Sequence, residues 1–170
     1  MFQIGDKIFY PMYGVGLVKG IEEKEVLGLK KLYYTLNIPH IKMSVMVPME
    51  QAANLGIREL VTPDILDQAL NNLYNGKTDP NIYENQRYCQ ELNKKKMKSG
   101  DICKNAEIIR DLTRKGQKGK LGSEDSNMLN NARQIFISEL TQIKCLTPDR
   151  AIAFLDKIIS GENETLSNAN

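Results

Sequence analysis

Up to about residue 50 the apolar side chains come in short runs, Lys7–Tyr10, Gly14–Glu22, Lys31–Ile38 and Met43–Val47, rich in Val, Ile, Leu, Phe and Tyr. Gly5-Asp6, Pro11, Gly14, Gly16, Gly28 and Pro39-His40 punctuate them. Runs of this kind bounded by turn residues predict strands. Strands so short and so tightly joined favour a small barrel or curled sheet over a sandwich. Gly14 and Gly16 fall where such a strand bends sharply or approaches another backbone.

From Pro48 onward the period becomes helical. Pro48 to Leu55 predicts a short helix stopped by Gly56. Thr62-Pro63-Asp64 is a helix start, with a hydroxyl N-cap, a proline in the first turn and a carboxylate on the positive end of the dipole. Ile65, Leu66, Ala69, Leu70 and Leu73 form its apolar stripe, and Gly76 closes it. One further helix is predicted from Pro80 to Lys98. Another is capped by Asp101 and ended by Gly116, and a long one is capped by Ser123. The last opens at Thr147-Pro148-Asp149, buries Ile152, Leu155, Ile158 and Ile159, and stops at Gly161. The repeated TPD is a shared capping solution and not an internal duplication, since its surroundings differ.

This is an α+β pattern of two domains, a small β-barrel and then an all-α bundle of about five helices. The divide falls between Arg58 and Thr62, giving a β unit over 1–58, a helical unit over 62–162 and a loose tail over 163–170. A β unit of that size is marginal on its own by surface-to-volume scaling, so the Pro48 helix is expected to pack against it.

Composition removes several classes of function. The start MFQIGDKIFY carries charges and no long apolar run, unlike a secretory signal. No stretch reaches the ~20 apolar residues of a membrane helix, so no membrane partner and a cytoplasmic location are expected. Cys89, Cys103 and Cys145 are widely spaced and the single histidine is His40, so no local set of four zinc ligands can be assembled. The cysteines are read as small apolar residues in a reducing compartment, and His40 as a solvated loop residue. GxSxG, P-loop and GxGxxG patterns are missing. Tyr13-Gly14-Val15-Gly16 lacks the following helix N-terminus that would hold an anion. The chain therefore reads as a non-enzyme with no cofactor, no metal and no small-molecule substrate.

Net charge is only +2, but it is unevenly spread. Between Lys94 and Lys120 ten basic residues face three acids, Asp101, Glu107 and Asp111, leaving +7 there and −5 for the rest. Such asymmetry suggests a basic working surface. Lys94, Lys95, Arg114, Lys115 and Lys118 are the candidates for phosphate contact, which gives sequence-independent, salt-sensitive affinity. Lys94 and Lys95 also suit a helix C-terminus without any ligand. Tyr83 and Tyr88 flank the patch and could stack on an unpaired base or simply join the core.

The opening GDKIFYPMYGVG, residues 5–16, resembles the start of the CarD/CdnL family of bacterial transcription regulators and the similar module of the transcription–repair coupling factor. Val47-Pro48, Gly56-Ile57-Arg58, Lys98-Ser99-Gly100-Asp101, Glu107–Leu112 and Leu129-x-x-Ala132-Arg133-Gln134-Ile135 continue the likeness in order over residues 2 to 160. The resemblance implies that the barrel is Tudor-like and docks on the RNA polymerase β subunit. It also implies that the helical domain lies on promoter DNA at the upstream edge of the melted region. It places Lys24 and Met46 at polymerase-binding positions, with Met46 where an arginine is common. Met43, Val45, Met46 and Val47 form a strand suited to edge pairing. On the DNA side it puts Gln86 where the family carries a wedge tryptophan, followed by Arg87, while Arg114 and Lys115 are kept. The expected function is modulation of open-complex stability; the alternative is an RNA- or ribosome-associated binding protein.

Overall fold

The computed structural model describes residues 1–161, so the tail expected over 163–170 lies outside the described residues. Five antiparallel strands, β1 (Lys7–Tyr10), β2 (Gly14–Val26), β3 (Leu29–Ile38), β4 (Met43–Pro48) and β5 (Arg58–Glu59), pair in the order β4-β3-β2-β1-β5. Six helices follow: α1 (Pro63–Asn75), α2 (Asn81–Glu84), α3 (Gln86–Ser99), α4 (Ile102–Lys118), α5 (Ser123–Lys144) and α6 (Pro148–Ser160). The α+β class is as the sequence predicts.

One face of the sheet has its own core: Ile8, Val18, Tyr34, Leu36 and Val47 pack there with Ala52 and Ile57, while Phe9 and Val15 turn to the other face. Tyr34 is buried with its hydroxyl satisfied, accepting from the Phe2 N–H at 3.0 Å. A register shift between Val18 and Gly20 bends β2, as a bulge does. β2 runs four residues further than its apolar pattern, to Val26, because beyond Glu22 both faces of the β2–β3 ribbon are exposed. The two-residue turn Leu27-Gly28 closes that ribbon with both residues at positive φ, 53° and 77°, the geometry that matches strand twist.

The expected helix over Pro48–Leu55 is instead a single 3₁₀ turn, Met49–Gln51, continued by turns to Gly56. Eight residues are too few to hold an α-helix unless packing supports it, and only Ala52 of this segment is fully buried. The helix expected over Pro80–Lys98 is two. Asn85 leaves the helical region at φ −122°, ψ 96° and its side chain accepts from the Tyr88 N–H at 3.0 Å, capping α3. Among the described residues the bundle thus has six helices where about five were expected.

Thr62 and Thr147 cap α1 and α6, accepting from Ile65 and Arg150 N–H groups. Asp101 caps α4 through Cys103 at 2.8 Å. Ser123 is not a cap: Gly122 holds the N-cap position of α5, and no side chain bonds there. Gly116 does not end α4, which continues to Lys118. The α1 stripe is as expected except that Ile65 is exposed, and in α6 Leu155 and Ile158 are buried as expected while Ile152 is exposed and Ala151 is buried. Cys89 is buried as expected, with its thiol pKa pushed up by that burial, but Cys145 is exposed.

Sheet and bundle share a core. Phe9 of β1 and Val15 of β2 pack with Leu66, Ile109, Phe136 and Leu140 of the helices. Gly14 sits at this seam with φ +88°, and a methyl there would come 2.7 Å from Ser138 Oγ and 2.8 Å from the His40 ring. His40 is exposed in the 3₁₀ turn Pro39–Ile41, as expected of a loop residue, with one edge of its ring against the seam, and partial burial lowers its pKa. An apolar groove of about 560 Å³ runs along the seam between Val15–Leu17 and the α5 residues Gln134, Ile137 and Ser138.

Candidate functional site

β4 pairs with β3 alone, in the register Tyr33↔Pro48 to Ile38↔Met43, so its other edge has no strand partner among the described residues. Directly opposed residues share a face. Val45 and Val47 oppose Leu36 and Tyr34 and point to the core, while Met46 opposes Thr35 on the outer face. Met43 opposes Ile38 at the strand's start, yet is 47% exposed. Lys24 opposes Lys31, which lies two pleats along β3 from Thr35 and so on the same outer face as Met46. Like charges opposed in this way repel. Lys31 is relieved by its ion pair with Glu50, whose carboxylate holds the lysine pKa above its ordinary value. Lys24 has no ion-pair partner among the described residues. The structure thus puts Lys24 and Met46, 22 positions apart in sequence, on the same face of the sheet, Met46 on the edge strand β4 and Lys24 two strands away on β2.

The basic stretch is less free than its sequence suggests. Arg114 donates to the Gly76 carbonyl at 2.7 Å, to Thr78 Oγ1 at 3.0 Å and to the Tyr74 carbonyl at 3.2 Å, bracing the link between α1 and α2. Lys115 pairs with buried Asp125 at 2.7 Å and also donates to Gln86 Oε1. Gln86 Nε2 in turn donates to Asp125 at 3.0 Å. Both ends of the Gln86 amide are therefore engaged by other side chains of the protein, although the residue itself is exposed. Lys96 and Arg110 pair with Glu107 and Asp111. Lys118 lies 3.8 Å over the Tyr83 ring, so neither member of that pair is unengaged.

What remains open to solvent is a stripe on α3. Arg87, Tyr88, Glu91, Lys94, Lys95 and Lys98 are all exposed. Arg87 pairs with Glu91 and Lys94 with Glu124, both at 3.0 Å on the surface, where such pairs are weak and exchange readily. Lys95 and Lys98, with Lys104 at the start of α4, have no acidic partner among the described residues. The Tyr88 hydroxyl donates to Asp79 at 3.2 Å, a bond that raises its pKa, and leaves the ring 39% exposed. Lys98 and Lys104 are counted in the basic stretch but not among the candidate phosphate contacts; what separates them from Arg114 and Lys115 is the carbonyls and Thr78 hydroxyl that hold Arg114 and the Asp125 carboxylate that holds Lys115.

Residues 2–61 match the family model of the CarD-like/TRCF RID domain, and residues 68–156 match that of the CarD C-terminal domain. The chain belongs to the CarD family. A Bacillus subtilis (strain 168) protein named "Putative transcription factor YdeB" is 37% identical over 154 residues, covering 91% of this chain and 99% of that protein. The solution NMR structure of the 72-residue N-terminal domain of Myxococcus xanthus CarD shares 34% sequence identity, over 35% of this chain and 79% of that one. Its TM-score of 0.31 is too low for the superposition to add to the fold. This CarD-family chain is a transcription regulator, and its RID domain implies an interaction with RNA polymerase. No described helix is long and apolar enough to cross a membrane.

Proposed function

We propose that this CarD-family protein is a cytoplasmic, non-enzymatic regulator that holds the RNA polymerase β subunit with one part and promoter DNA with the other. The two parts are residues 1–58 and 62–162, and the joint contact modulates open-complex stability. The observation that carries the reading is the pair of separate surfaces. The sheet has an unpaired strand edge on β4, with Met46 on that strand and Lys24 on the same face two strands away, and a cationic stripe with few fixed partners lies on α3. An unpaired edge supplies main-chain donors and acceptors for strand addition, with the alternating side chains setting specificity. Val45 and Val47 keep β4 flat against its core, and Met43 and Met46 make the exposed side of the dock apolar.

On DNA, Arg87, Lys94, Lys95 and Lys98 meet phosphates. Lys118 and Tyr83 form a joined platform at the other end of α4, and the Tyr88 ring is the one placed to stack on an unpaired base, a contact of about 1–3 kcal/mol. Arg114, Lys115 and Gln86 act by shaping this surface more than by touching it. Binding the melted promoter better than the closed one shifts the equilibrium by that difference and no more. The test is open-complex lifetime on a promoter with cognate polymerase. The reading expects a change in lifetime that saturates with protein; no change at saturating protein, or capture of ribosomal RNA in preference to polymerase, refutes it.

A further inference from the structure

Arg58 ends the sheet, and its guanidinium reaches three other elements at once. Nε and Nη2 donate to the Gly100 carbonyl at the α3–α4 corner, at 3.1 and 2.8 Å. Nη1 and Nη2 donate to the two carboxylate oxygens of Glu139 on α5, at 2.7 and 3.0 Å. The Phe9 ring of β1 lies 4.1 Å beneath Cζ. Glu139 has a side chain only 1% exposed and takes a third donor, the Val61 N–H at 2.9 Å, within the link between β5 and α1. Across the same seam the Val15 N–H donates to Ser138 Oγ at 3.2 Å. Gly100 packs so tightly on the sheet that a methyl there would come 2.7 Å from Pro11 Cγ.

Stability alone does not call for this arrangement. A buried ion pair is often no better than apolar residues of the same volume. What a planar fork gives, and apolar contact does not, is direction, because both parallel bonds to one carboxylate hold at a single orientation. Glu139 is fixed on a long helix and Arg58 on a strand paired to β1, so the fork transmits its orientation to both parts. We propose that Arg58 and Glu139 are positioning residues that hold the polymerase-docking sheet and the DNA-facing α3 at one angle. The protein then bridges its two partners as a rigid gauge. The proposal rests on the two-surface reading above. Once polymerase is bound, the DNA contact is intramolecular, and its effective concentration is highest when the joint already has the required geometry.

The experiment is a double replacement in the full chain, Arg58→Met with Glu139→Gln. It removes both charges together and keeps an acceptor for Val61. Arg58→Lys, which retains a charge opposite Glu139 without the fork, is the second variant should the double one fold poorly. Amide residual dipolar couplings from the sheet and from the bundle should fit one alignment tensor in the wild type and require two in the variants. Affinities for polymerase and for duplex DNA, measured separately, should stay within about threefold. The effect on open-complex lifetime should fall about fivefold or more, the size of an ordinary coupling between sites. A single tensor with an unchanged lifetime effect in a folded variant overturns the proposal. If the wild type neither binds polymerase nor alters lifetimes, the two-surface reading fails, and the dipolar couplings still decide whether the pair sets the angle.

Discussion

Gln86, the first residue of α3, donates its side-chain amide to Asp125 at 3.0 Å, and Asp125 is 2% exposed on the first turn of α5. Lys115 completes the set from α4, binding both. The position where relatives of this chain are expected to carry a wedge tryptophan is thus tied to two neighbouring helices. One N–H and one oxygen lone pair of this exposed amide stay free, but its orientation is set by Asp125 and Lys115 and not by a base.

Gln86→Trp separates two effects of opposite sign. Removing one hydrogen bond to a buried carboxylate should lower stability by about 1–2 kcal/mol. The indole brings an apolar face that can offset the few kcal/mol of unstacking at a base step. Thermal unfolding should show a lower midpoint while open-complex lifetime increases. A lifetime unchanged in a folded, polymerase-binding variant means that α3 is not seated on the DNA.

The bases of α3 and those of α4 should behave differently. Lys95→Ala with Lys98→Ala should reduce the log–log salt slope of duplex binding by roughly 2, at about 0.9 per phosphate contact, and leave the melting midpoint where it was. Arg114→Ala should do the reverse, costing about 2 kcal/mol as the Gly76 and Tyr74 carbonyls lose a charged donor. The account is wrong if Arg114→Ala flattens the salt dependence more than the lysine pair does.

Gly14→Ala tests the seam. Its φ of +88° disfavours any side chain, and the methyl would meet Ser138 and His40 below 3 Å. Backbone strain of about 1–2 kcal/mol and overpacking of about 1–3 kcal/mol should add. Chemical denaturation showing less than about 1 kcal/mol of loss would mean that the seam is looser than these distances say.

His40 should give the protein an acid-side weakness. Burial lowers its pKa in the folded state, so the unfolded chain takes up this proton first. The stabilising contribution of the neutral ring is complete above the unfolded value of about 6.5 and is lost as pH falls from there through the folded value. The loss is a small part of the ceiling of about 1.4 kcal/mol per pH unit, because the residue is exposed. The difference between wild-type and His40→Asn stability should decline as pH falls below about 6.5, and a flat difference there contradicts it.

Local chemistry made some elements readable in advance and left others hidden. β1 matches its expected ends, Lys7 and Tyr10, because Gly5-Asp6 and Pro11 fence it. The distal part of β2 gave no signal, since Glu23, Lys24 and Glu25 have solvent on both faces and no alternation to impose. The break at Asn85 was hidden because Ile82 and Cys89, on either side of it, are both buried and continue a helical stripe. Free and engaged bases were inseparable in sequence. Lys115 is disarmed by Asp125 across the α4–α5 turn and by Gln86 from α3, contacts that only the packing of the helices creates. The Arg58–Glu139 fork, spanning 81 positions, left no trace in periodicity or local charge.

The central claim is that the sheet docks on polymerase through β4 and its outer face. The direct measurement is binding of the full-length chain to the isolated β lobe of its own polymerase, by titration calorimetry, for the wild type and for Lys24→Glu with Met46→Glu. Lys24 is exposed and Met46 half-buried on the same outer face, away from the core, so the pair should change the melting midpoint little. The account predicts saturable one-to-one binding by the wild type and at least tenfold weaker binding by the variant, about 1.4 kcal/mol or more. Equal affinity for both proteins, or no binding by the wild type, would contradict it.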